Sequence, residues 1–213
     1  MNRIKAIWLE VAFALLISIV IILSISNSVH EIKIESPKAL SVRESRIDAC
    51  GFADYLKEIR KIENGTIFIF FEGSQEEQGY YITEDMVNEL MSMGFDQAYL
   101  LLEDTSYSFF GVYSDQKVIY QKVTDDATIR YAHFLNNRYI FANSYAKYSV
   151  SYGAIYIDHI NYSVSNRGFN IVTVDLPANE LIDSVSYDVF EEGIPVYRLI
   201  DDEISYITDT VKG

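Results

Sequence analysis

Nineteen consecutive positions, Ile7 to Ile25, carry apolar or small side chains with one interruption, Glu10. As a helix rising roughly 1.5 Å per residue, such a run reaches about 28 Å, close to the roughly 30 Å hydrocarbon thickness of a bilayer. Arg3 and Lys5 precede it, while Glu31, Lys33, Glu35 and Lys38 after it balance. Positive flanks stay inside, so the expected arrangement is a single-pass cell-membrane anchor with a cytoplasmic N-terminus and everything from about Asn27 extracytoplasmic. The rival reading is a cleaved signal peptide, which calls for an apolar region of about 7–15 residues and a small-residue cleavage site. Ser24, Ser26 and Ser28 offer only a weak one. Three regions follow: 1–26 as cytoplasmic tip and anchor, 27–45 as a stalk broken by Pro37, and 46–213 as one extracytoplasmic domain.

Within that domain the hydrophobic period changes along the chain. From Arg46 to Ile62, Phe52, Leu56 and Ile59 recur at helical spacing. Asn64-Gly65 stops this helix, and Thr66 to Phe71 is apolar at both parities, which predicts a strand covered on both faces. Thr83 is placed to cap a second helix, with Met86, Val87, Leu90 and Met91 as its stripe and Gly94 just past its end. Ala98 to Leu102 reads as another buried strand. Tyr107–Tyr113 and Lys117–Val123 read as a hairpin around Ser114-Asp115-Gln116, and Arg130–Leu135 and Arg138–Phe141 flank Asn136-Asn137. Tyr148–Asp158, Ile160–Val164, Phe169–Asp175 and Leu181–Tyr187 continue as strands, and Ile194 to Ile207 is ambiguous. Helices early and strands late predict an α+β fold, a compact α/β sandwich of mainly antiparallel strands with two packed helices.

Charge and composition narrow the function classes. Thirty-one acidic against 17 basic residues leave −14 at pH 7. Nucleic-acid binding is built on an excess of Lys and Arg, so no nucleic-acid partner is expected. The same acidity disfavours lying flat on an anionic membrane surface. Cys50 is the single cysteine, so no internal disulfide forms, and a small buried apolar role fits it better than a reactive thiol. Seventeen Tyr and 12 Phe favour strands.

Two stretches together resemble one family. Arg167-Gly168-Phe169-Asn170-Ile171-Val172-Thr173-Val174-Asp175, followed by Glu180 to Asp188, is similar to the R-G hairpin of ILEI-like domains, the interleukin-like inducers of epithelial–mesenchymal transition. Tyr55 to Ile59, Gly65 to Ile69, and Ile82 through Leu90 to Gly94 are similar to that family's helix, buried strand and second helix. The order is reversed, as in a circular permutant or at the seam between two repeats, and a permutant requires the segment after Tyr187 to return to the start of the first helix. The resemblance implies a compact, non-catalytic recognition domain for glycan or protein. It also implies contacts from Arg167, with Asn170 in the same motif and Glu72 standing loosely for an acid after the buried strand. Where the family carries R-D-[ST], this chain has Glu103-Asp104-Thr105, a reversed charge.

Each site residue has an ordinary reading beside the functional one. Arg167-Gly168 suits a turn needing positive φ, although a planar five-donor guanidinium also suits hydroxyl or carboxylate recognition. Tyr80, Tyr81, Tyr152, Tyr156 and Tyr162 could face a sugar ring or pack within the sheets. His133 and His159 lack metal-ligand spacing, and Asp158-His159 lacks a nucleophile elbow, so neither a metal, a triad nor a cofactor is expected. Asp125-Asp126 and Asp201-Asp202-Glu203 read as solvated acids. The leading expectation is therefore a membrane-tethered, non-catalytic module binding glycan or protein in a cell-surface polysaccharide system. The alternatives are an enzyme using paired carboxylates such as Glu72 and Glu103, or a structural subunit of a membrane complex.

Overall fold

A computed structural model describes residues 39–43, 47–48, 51–72, 81–103, 106–125, 128–144, 153–165, 168–200 and 203–207; for residue 200 and residues 203–207 it describes the backbone only. The chain divides into two units, Met1–Ser36 and Pro37–Gly213, and the described residues all belong to the second. The apolar run Ile7–Ile25, Cys50 and Arg167 lie outside the described residues. Among the described residues no helix is long and apolar enough to cross a membrane.

Most of the second unit is antiparallel sheet. The strands are β1 (Ser41–Val42), β2 (Gly65–Glu72), β3 (Ser108–Ser114), β4 (Lys117–Thr124), β5 (Ile129–Leu135), β6 (Arg138–Ser144), β7 (Ala154–Ile157), β8 (Ile160–Asn161), β9 (Gly168–Asp175), β10 (Glu180–Tyr187), β11 (Val196–Ile200) and β12 (Glu203–Ile207). A large sheet runs β12-β11-β10-β9-β2-β3-β4, with β1 added parallel to the start of β10. A small sheet runs β5-β6-β7-β8. The helices are α1 (Phe52–Ile59), α2 (Glu84–Ser92) and α3 (Leu100–Glu103).

Three layers result because β2 is apolar at both parities. Ile67, Ile69 and Phe71 join Phe52, Leu56, Ile59, Val87 and Leu90 in a core beneath α1 and α2. Phe68 and Phe70 join Ile129, Tyr131, Ile140 and Ile155 in a second core under the small sheet. Both faces of β2 are sealed, as its sequence predicts. Early helix and late hairpin share the first core, with the Phe52 and Phe169 rings 4.7 Å apart and Phe52 and Tyr187 5.2 Å apart.

Local signals hold at several turns. Thr83 Oγ1 accepts from Met86 N–H at 3.3 Å, capping α2, and Gly94 follows its end at φ +99°. Asp115-Gln116 and Asn136-Asn137 both take positive φ in two-residue turns, which match the twist of the strands they join. One expectation is corrected. Ala98 to Leu102 is not a strand but part of a 3₁₀ turn (Asp96–Tyr99) running into α3. Ala98 and Leu101, three apart, are buried, while Tyr99 and Leu102 are exposed. That is a helical period too short to be seen in five apolar letters. The expected long strand over Tyr148–Asp158 is also shorter where it is described, beginning at Ala154. The ambiguous Ile194–Ile207 segment forms β11 and β12.

A bulge in β10 redirects its side chains. Register slips between Leu181 and Asp183, so Leu181 packs in the small-sheet core while Val185 and Tyr187 pack under the helices. Asp183 then lies beside Tyr55 and Arg198, all three buried. Its Oδ2 accepts from Tyr55 Oη at 3.2 Å and from Arg198 Nη2 at 2.9 Å, and Arg198 also donates to the Ile47 carbonyl. The segment after Tyr187 thus returns to the start of α1.

Candidate functional site

Glu72 ends β2, paired in register with Gly168 of β9 and pointing to the small-sheet side with Phe68 and Phe70. At that position β2 has run out of apolar residues and the seam between the two sheets turns polar. Glu72 Oε2 accepts from Gly153 N–H at 2.9 Å. Burial pushes its carboxyl up to about 7, and the Gly153 hydrogen bond opposes that shift. Gly153 has to be small: a Cβ there would come within 2.6 Å of the Phe70 ring. Beside it, Ser144 Oγ donates to the Phe71 carbonyl at 2.9 Å. Further along, Ser184 Oγ donates to the Tyr162 carbonyl, and Leu40 N–H donates to the Tyr162 hydroxyl at 2.8 Å. These side-chain bonds stitch one sheet to the other where no strand ladder joins them.

The motif residues around Gly168 are placed by the same seam. Gly168 has φ +73°, and an added Cβ would collide with the Tyr187 carbonyl oxygen, so the turn reading of this glycine holds. Asn170 has no exposed surface, and its Oδ1 accepts from Ser165 N–H at 2.9 Å, closing the turn into β9. Glu103 is exposed at the end of α3, whose Leu101 packs in the helix-side core. Glu72 and Asn170 therefore share the small-sheet side of the large sheet, and Glu103 belongs to the helix layer on the other side. A carboxyl titrating near neutrality can exchange a proton. Retaining or inverting glycoside chemistry requires a second carboxyl across a common cleft, and Glu103 does not face one with Glu72.

The remaining sequence candidates are dispersed. Tyr162 is buried, Tyr81 is exposed, and Tyr156 is half-buried on the small sheet; Tyr80 and Tyr152 lie outside the described residues. Asp158 and His159 form the β7–β8 turn at φ +47° and +71°. Asp158 accepts from Tyr139 N–H at 2.8 Å and pairs with Arg138 at 2.8 Å, which accounts for its carboxylate. Asp126, Asp201 and Asp202 lie outside the described residues. Among the described residues no group of three or more His, Cys, Asp or Glu side chains could hold a metal ion.

One surface escapes the motif reading. The small sheet packs Ile129, Tyr131, Ile140, Ile155 and Ile157 inward, and among the described residues no core cluster covers its other face. On that face Phe134 is 70% exposed, its ring 5.3 Å from Tyr139, which lies 5.6 Å from His159. Phe141 and Tyr156 lie 6.0 Å apart in the neighbouring row. Between Thr128 and Val164 the sequence carries a single acid, Asp158, although the chain has 31. That gap in the acidity was the readable signal, visible without any motif. No family model, curated protein or solved structure matches the chain.

Proposed function

We infer that the chain is a membrane-anchored, extracytoplasmic, non-catalytic recognition module of a cell-surface polysaccharide system, with a permuted ILEI-like domain that binds glycan or a protein partner. The observation that carries this reading is the outward aromatic face of the small sheet, which no described element covers. One exposed ring, Phe134, and three half-buried ones, Tyr139, Phe141 and Tyr156, share this face. Aromatic surface left in part to water is costly unless something covers it, and such patches mark contact surfaces. Support for the tether comes from the Ile7–Ile25 run with Arg3 and Lys5 before it.

The test uses the full chain, tagged at its C-terminus and expressed in cells with a photo-reactive phenylalanine at position 134. External protease is expected to remove the tag from intact cells, and illumination is expected to attach a glycan or protein to the domain. A tag protected in intact cells and cut only after lysis would overturn the topology. An absence of any adduct, with the domain folded, would overturn the recognition role.

A further inference from the structure

The rings of the small sheet are spaced by its ladder. Phe134 opposes Tyr139; Ala132 opposes Phe141, which opposes Tyr156, which opposes Asn161; Arg130 opposes Asn143. Rows along a strand repeat about every 6.8 Å and strands lie about 4.8 Å apart. Phe134, Tyr139, Phe141 and Tyr156 thus fill two neighbouring rows, and Ala132 leaves a shallow gap beside Phe141. The ring pairs are tilted by 52°, 38° and 42°, so none is stacked flat on its neighbour. Polar edges accompany the apolar faces: the Tyr139 and Tyr156 hydroxyls, exposed His159 and exposed Asn161.

We propose that this face binds a neutral polysaccharide chain, with sugar rings lying over Phe134, Tyr139, Phe141 and Tyr156. A pyranose offers an apolar C–H face and a hydroxylated edge, the same division of surface that these side chains present. Charge argues for neutrality at two scales. The whole chain carries −14 and repels a polyanion at long range. Locally, Arg138 neutralises Asp158, the only acid from Thr128 to Val164, so the sheet offers a polycation no free carboxylate, and the outward cation Arg130 lies one row beyond the rings, opposite Asn143. This inference rests on the recognition reading above and names its ligand class and contact face.

Affinity electrophoresis of the full chain in detergent tests it, using gels loaded with hydroxyethyl cellulose, dextran, galactomannan or alginate. At least one neutral polymer is expected to retard the chain. Tyr139→Ala combined with Phe141→Ala weakens that binding by about tenfold or more, whereas Tyr99→Ala, an exposed ring in the helix layer, leaves it unchanged. Phe134→Ala, the most exposed of the rings, gives a second variant that removes no buried contact. Retardation by a neutral polymer that survives both face variants would overturn the assignment of this face. Retardation by alginate alone, or a position-134 adduct with protein alone, would overturn the neutral sugar while sparing the recognition reading. Neither retardation nor adduct would remove both.

Discussion

The large sheet is covered on both faces, by α1 and α2 on one and by the small sheet on the other, whereas among the described residues the small sheet is covered on one face only. That difference is written in their strands. β2 is buried at nearly every position, and β9 likewise, while β5 alternates between buried and exposed from Ile129 to Ala132 and stays exposed through Phe134. A strand apolar at both parities can be stable only between two layers, and an alternating one needs a single cover. The large sheet therefore carries stability. The small sheet, held by its inner face and by the polar seam, is free to present its outer face. Aromatic residues serve both purposes here: Phe70 has no exposed surface and Phe134 is 70% exposed, so residue type alone does not tell core from contact surface.

Breaking the shared core tests the contrast most strongly. Phe70→Ala removes a ring packed between the two sheets and is expected to cost about 4 kcal/mol in denaturant unfolding. A cost below about 1 kcal/mol would mean that the small sheet is not fastened there. Next in size is the seam. The Glu72 carboxyl is raised from 4.5 to about 7, so the folded chain binds a proton more tightly than the unfolded one. The protonated form is favoured in the fold, so this stability is complete below about pH 4.5 and is lost as pH rises through 7. Glu72→Gln should therefore stabilise the protein by about 2 kcal/mol at pH 8, after allowance for its partial exposure, and by nothing at pH 4. A melting-temperature gain equal at both pH values would show that the carboxyl is not strained by burial. Smallest is the outer face: Phe134→Ala should change stability by no more than about 0.5 kcal/mol. A larger loss would make that ring part of the fold rather than a contact.

Legibility followed the range of the interaction. The Thr83 cap, the positive-φ turns at Asp115-Gln116 and Asn136-Asn137, and Gly168 were readable because each is a requirement of a few adjacent residues. Ala98–Leu102 misled because five mostly apolar letters fit a strand and a helical turn equally, and packing beneath α2 decided between them. The Asp183–Arg198–Tyr55 cluster was invisible, since its partners lie 15 and 128 residues from Asp183 and the bulge that turns Asp183 toward them has no signature in the sequence. The candidate site was legible by halves. Glu72 was named as an acid after a buried strand, but its near-neutral titration comes from the seam around it. The aromatic residues were counted, but not their gathering on one face.

By itself, then, the amino-acid order determined the α+β class, the doubly covered strand, most hairpins and the acidity that disfavours a nucleic-acid partner, because period, turn chemistry and charge are properties of neighbouring residues. Tertiary structure alone decided which aromatic side chains are sealed and which face water, and which carboxyl is held near neutrality. Those outcomes depend on how two sheets from distant segments close over one another, and burial is a property of that closure.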